Sequence, residues 1–222
     1  MGYQFNAERK AKVMVVDDHA IVRQGMFMLI NREPDMHACC EAEDIDRALE
    51  ANRRCPHDIV IVDMSLANAS GMELVRRFQH LFPDLPVLML SMHDESIYAE
   101  PALKAGARGY LMKQMATDVL LLAVRQILQG ELYVSDQMRS RMLKKMMSGV
   151  RDESPVGHLS PTELEVMHLI GLGMGTSEIA DKLARSIKTV ESHKANIKKK
   201  LKLESGNQLT LFAINLVSSR AG

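Results

Sequence analysis

The stretch VMVVDDHA, Val13–Ala20, ends an apolar run with two adjacent aspartates. Like carboxylates in one site repel and raise each other's pKa, so the pair needs an offset. A helix N-cap or a solvated turn would supply one, and so would a divalent cation. The sequence further along decides between them. KVMVV (12–16) is followed by four more short aliphatic runs: MHACC (36–40), DIVIV (58–62), PVLML (86–90) and RGYLM (108–112). Segments with helical spacing lie between and after them, at Ala20–Asn31, Ile45–Asn52, Gly71–Leu81 and Thr117–Gln129. This alternation predicts an α/β fold with a doubly wound parallel five-stranded sheet. Continuous rather than alternating apolar strands predict burial on both faces.

In such sheets ligands gather beyond the carboxyl ends of the strands, where strand order reverses. Asp17 and Asp18 follow the first strand, Asp63 the third, Ser91 the fourth and Lys113 the fifth. In a 2-1-3-4-5 order the first and third strands are neighbours, so three carboxylates converge with a hydroxyl and an ammonium nearby. Three carboxylates suit a hard cation such as Mg²⁺. Its charge removes the repulsion problem. A carboxylate beside Mg²⁺, a Lys and a Ser is placed to accept a phosphoryl group. Taken singly, each residue reads as a cap, a turn or a solvated charge. Their order at successive strand ends carries the signal.

The 222 residues suffice for two domains, and 46% apolar with 25% charged residues is an ordinary globular balance. The net charge is zero but uneven. Residues 1–135 carry 14 Lys and Arg against 19 Asp and Glu, whereas Lys182–Lys202 holds eight basic residues and one acid, Glu191. An acidic first part and a basic late segment point to an anionic partner for the second part. Three cysteines make neither a disulfide framework nor a zinc spacing, and Cys39 and Cys40 read as small strand residues. The N-terminus has no apolar core of a signal peptide, and no apolar run approaches a membrane span. The expectation is a cytoplasmic protein with no membrane partner.

Ser135 can cap a helix carrying Met138, Met142, Leu143 and Met146, and SGVRDESPVG (148–157) reads as a linker. Beyond it the pattern is helical only. Ser160-Pro161-Thr162-Glu163 is a capping-box signature with Pro at the first helical position. Thr176–Ala184 reads as a short helix, and Ser186 caps a longer one to about Lys202. On that longer helix Val190, Ile197 and Leu201 form one apolar stripe. Ser192, Ala195, Asn196 and Lys199 lie opposite, with Glu191 and Lys202 at the edge. Such a helix can enter a major groove while its lysines meet phosphates. An isolated Lys-rich face is more simply a solvated one; the preceding helix and the capping pattern favour DNA.

Residues 11–131 resemble the receiver domain of two-component response regulators, through VDDH, DIVIVDMSLANASG, LMLSMHDE and KAGARGYLMK. The resemblance implies a flavodoxin-like sheet with Asp63 as phosphoacceptor and a histidine kinase as donor. It implies Mg²⁺ held by Asp18, Asp63 and the Ser65 carbonyl, with Asp17 acting through water. Ser91 and Tyr110 are similar to the family's switch pair, and Lys113 to its ion-pair partner. The family's Met-Pro-Gly-like loop is replaced by Leu66-Ala67-Asn68, which predicts a more mobile loop. Pro101 falls where the fourth helix should already run, which predicts a kinked, shortened or late-starting helix.

Residues 158–219 resemble the small all-α LuxR-type helix-turn-helix domain of NarL-like regulators, through TSEIADKL, KTVESH and IKKKLKL, with 132–157 as linker. The resemblance implies that Glu191, Ser192 and Ala195 face bases. Lys188, Thr189, Lys194, Asn196 and Lys198 or Lys199 would meet the backbone of double-stranded DNA. Leu209, Leu211, Phe212 and Ile214 would form a dimer face, used when the protein is phosphorylated. RNA polymerase is a further partner that the resemblance suggests. Gly175 stands where a capping Ser is common, and Gly206 is unexpected near the last helix. The implied function is a phosphorylation-controlled transcription regulator, not an enzyme. Two alternatives remain: a regulator of this fold that works unphosphorylated, and an aspartyl-phosphate phosphohydrolase. The second needs a DxD motif, and the residue two after Asp17 is His19.

Overall fold

Buried aliphatic strands at the centre of the first half set the architecture. The structure is a computed structural model describing residues 9–66, 69–115, 117–148, 156, 159–183 and 185–218. The chain divides into two compact units, Met1–Val150 and Arg151–Gly222.

In the first unit the strands β1 (Ala11–Val16), β2 (Met36–Ala42), β3 (Ile59–Asp63), β6 (Val87–Ser91) and β7 (Gly109–Met112) form a parallel sheet in the order β2-β1-β3-β6-β7. This is the 2-1-3-4-5 order expected, with the reversal between β1 and β3. β-Branched and aliphatic residues fill both faces. Val13, Val15, Ile59, Ile61, Leu88, Leu90 and Leu111 pack with α1 (Ala20–Asn31) and α5 (Thr117–Leu128). By the period of two, the equally buried Met14, Val60, Val62, Met89 and Tyr110 face the other way. The helices α2 (Ile45–Arg54), α3 (Gly71–Leu81) and α4 (Glu95–Ala105) complete the layers, and α2, α3 and α4 contact one another in sequence. Tyr98 and Tyr133 are buried in the same unit.

Some features differ from the sequence-based expectation. A two-residue hairpin, β4 (Ser65–Leu66) and β5 (Ala69–Ser70), follows β3. Of the loop expected to be mobile, Leu66 lies in β4 and is buried, and Ala67 and Asn68 lie outside the described residues. Pro101 neither shortens α4 nor delays it. The helix starts at Glu95, capped by Asp94, whose carboxylate accepts from Ser96 N–H at 2.7 Å. It runs through Pro101 to Ala105, with a left-handed Gly106 as its C-cap. Proline there removes one N–H from the ladder. The helix also gains ties from α6 (Asp136–Ser148): Arg141 Nη1 donates to the Ser96 carbonyl, and Lys145 Nζ pairs with Glu100 at 2.9 Å. The helix expected within the linker thus packs on the first unit. Residues 149–155, 157 and 158 of that segment lie outside the described residues.

The second unit holds α7 (Pro161–Gly171), α8 (Thr176–Lys182), α9 (Ile187–Leu201) and α10 (Gly206–Ser218). The capping box forms as spaced: Ser160 Oγ accepts from Glu163 N–H at 3.3 Å, and Glu163 Oε2 accepts from Ser160 N–H at 2.6 Å. Gly175 supplies no side-chain cap to α8, but Glu178 returns to its N–H at 2.7 Å. Gly171 lets α7 approach α10, since a Cβ there would lie 2.6 Å from the Ala213 carbonyl oxygen. Among the described residues no helix is long and apolar enough to cross a membrane.

Candidate functional site

The carboxyl ends of β1 and β3 place two buried aspartates side by side, and Lys113 closes the pocket from the end of β7. Its Nζ lies 2.7 Å from Asp17 Oδ2 and 2.9 Å from Asp63 Oδ2. The Lys113 N–H donates to the Ser91 carbonyl at 2.8 Å, which fixes where its side chain starts. Asp17 is held from behind. Its Oδ1 accepts from His19 N–H at 2.8 Å, and its carbonyl accepts from Arg23 Nη1 at 2.6 Å. Asp18 has a side chain 21% exposed, yet its Oδ1 is buried without a hydrogen-bond partner. His19 Nδ1 is 2.7 Å from that oxygen but outside hydrogen-bonding geometry. Ligand atoms of Asp17, Asp18, His19 and Asp63 all lie within 4.8 Å of one another.

The electrostatics follow from burial. Desolvation pushes the Asp63 carboxyl above the ordinary aspartate range; Lys113 opposes this and Asp17 adds to it. Burial alone would lower the Lys113 ammonium, but its contacts with Asp17 and Asp63 outweigh that and raise it. Lys113 therefore stays charged. One ammonium faces three carboxylates, one with an orphaned buried oxygen, and this oxygen-rich set fits a hard divalent cation.

Ser91 is fully buried. Its Oγ donates to Met64 Sδ at 3.4 Å and accepts from His93 N–H at 2.9 Å. Tyr110 is buried too, and its hydroxyl donates to the His93 carbonyl at 2.8 Å. Burial drives that phenol far above the ordinary tyrosine range, with Ser91 opposing. Both expected switch residues thus hold the main chain of His93, whose ring stacks on Tyr98 with centroids 4.9 Å apart. Ser65, two residues past Asp63, has its hydroxyl 3.4 Å from His93 Nε2. Gly71 is required at the start of α3, because a Cβ there would lie 2.0 Å from the Asp63 carbonyl oxygen.

Sequence reasoning missed Arg23, His93 and the closeness of His19. Arg23 carried a legible signal, a charge in line with the inward residues Met26 and Ile30 of α1. His93 carried none, since it works mainly through its backbone.

In the second unit, between α8 and α9, Arg185 N–H donates to the Ala180 carbonyl at 2.9 Å. Ser186 caps α9 by accepting from Thr189 N–H at 3.0 Å. Val190 and Ile197 are buried and anchor the helix. Lys188, Glu191, Ser192, Ala195, Asn196 and Lys199 are exposed, whereas Thr189, Lys194 and Lys198 are partly covered. Glu191 is already engaged. It accepts from Thr176 Oγ1 and Lys194 Nζ, both at 2.8 Å, and Lys194 also reaches Thr176 at 2.9 Å. Lys200 is spent inside the unit, 2.6 Å from the buried Glu163. On α10, Leu211 is 61% exposed, Ile214 is exposed and Phe212 partly so. Leu209 must be removed from the expected dimer face: it is 1% exposed and belongs to the unit's own core.

Comparison with known proteins assigns both units. Residues 13–125 match the response regulator receiver domain, and residues 157–213 match the bacterial regulatory proteins of the luxR family. The chain is 35% identical over 210 residues to the oxygen regulatory protein NreC of Staphylococcus epidermidis, covering 91% of this chain and 96% of that protein. NreC of Staphylococcus carnosus is 34% identical over 209 residues. Among solved structures, RcsB from Salmonella enterica serovar Typhimurium, bound to promoter rprA with the phosphomimetic BeF3−, aligns with a TM-score of 0.66. It is 28% identical and covers 92% of this chain and 98% of that one. A LuxR-family response regulator from Aurantimonas aligns over 63% of this chain and 99% of its own, with a TM-score of 0.58 and 32% identity. The chain belongs to the two-component response regulators, with a receiver domain followed by a LuxR-type DNA-binding domain.

Proposed function

We propose that Asp63 accepts a phosphoryl group from a histidine kinase and that this controls DNA binding by α9. The observation that carries the reading is Lys113 bridging Asp17 and Asp63 beside the orphaned Asp18 oxygen. In the transfer a P–N bond on the kinase histidine breaks and a P–O bond to an Asp63 oxygen forms. Lys113 favours the ionised form of Asp63, the nucleophile, against its burial, and offsets charge on the phosphoryl oxygens. Asp17, Asp18, Asp63 and the Ser65 carbonyl would hold Mg²⁺, which supplies charge neutralisation for the transferring group.

The Ser91 hydroxyl has to leave Met64 and His93 N–H to reach a phosphoryl group. Tyr110 holds the other side of the same residue, so local charge is coupled to the His93 loop. In the second unit, Glu191, Ser192 and Ala195 face bases, with Lys188, Thr189, Lys194, Asn196, Lys198 and Lys199 on the backbone. Glu191 can accept from a cytosine amino group once Lys194 turns to phosphate. The exposed Leu211 and Ile214, with Phe212, form the dimer face of the phosphorylated protein. We place the receiver at 11–131 and the DNA-binding domain at 158–219.

The test is gel shift and sizing of the full chain with and without beryllofluoride and Mg²⁺. Beryllofluoride should tighten DNA binding and favour dimers in wild type but not in Asp63→Ala. A response that persists in Asp63→Ala removes the acceptor assignment.

A further inference from the structure

Cys39 and Cys40 are neighbours on β2, and a regular strand would send their side chains to opposite faces. β2 is not regular there. Its pairing with β1 shifts register between Val13 and Met14: Val13 pairs with Ala38 and Met14 with Cys40, which leaves Cys39 as an extra residue. Bulges of this kind re-aim side chains. Here both sulfurs and a ring nitrogen of His57 lie within 4.8 Å of one another.

His57 precedes β3 and is 6% exposed. Its backbone N–H and its Nδ1 both lie within bonding distance of Asn52 Oδ1, at 3.2 and 2.9 Å. An N–H only donates, so that oxygen is the acceptor and Nδ1 carries the proton. Nε2 then holds a lone pair, and it is buried with no hydrogen-bond partner. A buried imidazole oriented through one nitrogen, with the other free beside two sulfurs, is the donor arrangement of a metal-ligating histidine.

We propose that Cys39, Cys40 and His57 form a binding site for a thiophilic metal ion, Zn²⁺, distinct from the acidic pocket. Sulfur and imidazole donors select Zn²⁺ over the hard cations that oxygen ligands take. With Zn–S about 2.3 Å and Zn–N about 2.0 Å, donors around one tetrahedral ion sit about 3.5–3.8 Å apart. The observed grouping needs closure of at most about 1 Å, within reach of side-chain rotation. Each thiol loses its proton to solvent as its S–Zn bond forms. Cys55 caps the end of α2 and lies close enough to Cys39 to interact through space, so a third sulfur is at hand as a fourth donor. The ion would clip the edge strand β2 to the entry of β3, independently of phosphoryl chemistry.

The reduced, metal-free full chain is titrated with Co²⁺, then with Zn²⁺. With excess Mg²⁺ to fill the acidic pocket, one Co²⁺ per chain with thiolate-to-cobalt charge-transfer absorbance is expected, displaced by one Zn²⁺. Cys39→Ser and Cys40→Ser should each lose the absorbance, and His57→Ala should weaken binding at least ~10-fold. Asp18→Asn should leave it unchanged. Because a core variant can misfold, alkylation of the wild-type chain is followed by mass spectrometry. Zn²⁺ should protect the peptide containing Cys39 and Cys40. Equal alkylation with and without Zn²⁺, or charge-transfer absorbance that survives both serine variants, overturns the proposal.

Discussion

Lys113 and Lys194 each bridge two oxygens at nearly equal distances, but in different surroundings. Lys113 holds Asp17 at 2.7 Å and Asp63 at 2.9 Å, and both aspartate side chains are almost wholly buried. Lys194 holds Glu191 at 2.8 Å and Thr176 at 2.9 Å on the surface, with the Glu191 side chain 54% exposed. The first bridge joins residues up to 96 apart in sequence, the second residues three apart on α9 and 18 apart across to α8. Burial decides their worth. Losing one partner of a buried set leaves uncompensated charge, whereas a surface pair is screened and offset by side-chain entropy. The Lys113 bridge of the first unit is thus costly to break, and the Lys194 bridge of the second can exchange partners.

Lys113→Ala carries the largest expected effect. It should destabilise the first unit by about 3–5 kcal/mol in denaturant titration without divalent cations, and Mg²⁺ should recover part of the loss. A cost below ~1 kcal/mol would show that the buried bridge is no stronger than the surface one. Gly171→Ala comes next. Its Cβ would press on the Ala213 carbonyl, and overpacking of this kind costs about 1–3 kcal/mol, here in thermal unfolding of the second unit alone.

Glu163→Gln tests the second unit's one strongly buried carboxylate among the described residues, at about 1.5 kcal/mol near neutral pH. Burial raises the Glu163 carboxyl, but Lys200 and the Ser160 cap outweigh it and hold it below the ordinary glutamate value of 4.5. A folded pKa below the unfolded one means stability fully present above about 4.5 and lost as pH falls through the folded value. Wild-type unfolding should show that acid loss, and the glutamine variant should lose less stability across the same range, with the lowered Glu191 carboxyl still contributing. Lys194→Ala is the smallest, under ~0.5 kcal/mol and smaller still in high salt by the same titration.

Much of this was legible in the sequence because it is local or periodic. The strands, α1, α3 and the Ser160 cap announce themselves by aliphatic runs, helical spacing and cap residues. The acidic pocket was legible because topology brings strand ends together whatever the loops do. What escaped depends on contacts that composition does not carry. Leu209 and Leu211 look alike in the sequence, yet the packed unit buries one and leaves the other out. Pro101 looked like a helix breaker, but α6 and the Asp94 cap support the helix through it. The bulge at Cys39 is a register fault between two strands, invisible from either strand alone.

The placement of tyrosine has a practical consequence. The chain has no Trp and four Tyr, at positions 3, 98, 110 and 133, so residues 151–222 have none. Tyr98, Tyr110 and Tyr133 are all buried in the first unit. Intrinsic tyrosine emission therefore comes from the first unit alone, while far-ultraviolet circular dichroism sees both halves. Following the two signals in one sample separates the melting of each half in the uncut chain. A single Trp placed on α9 would add a second optical channel free of background.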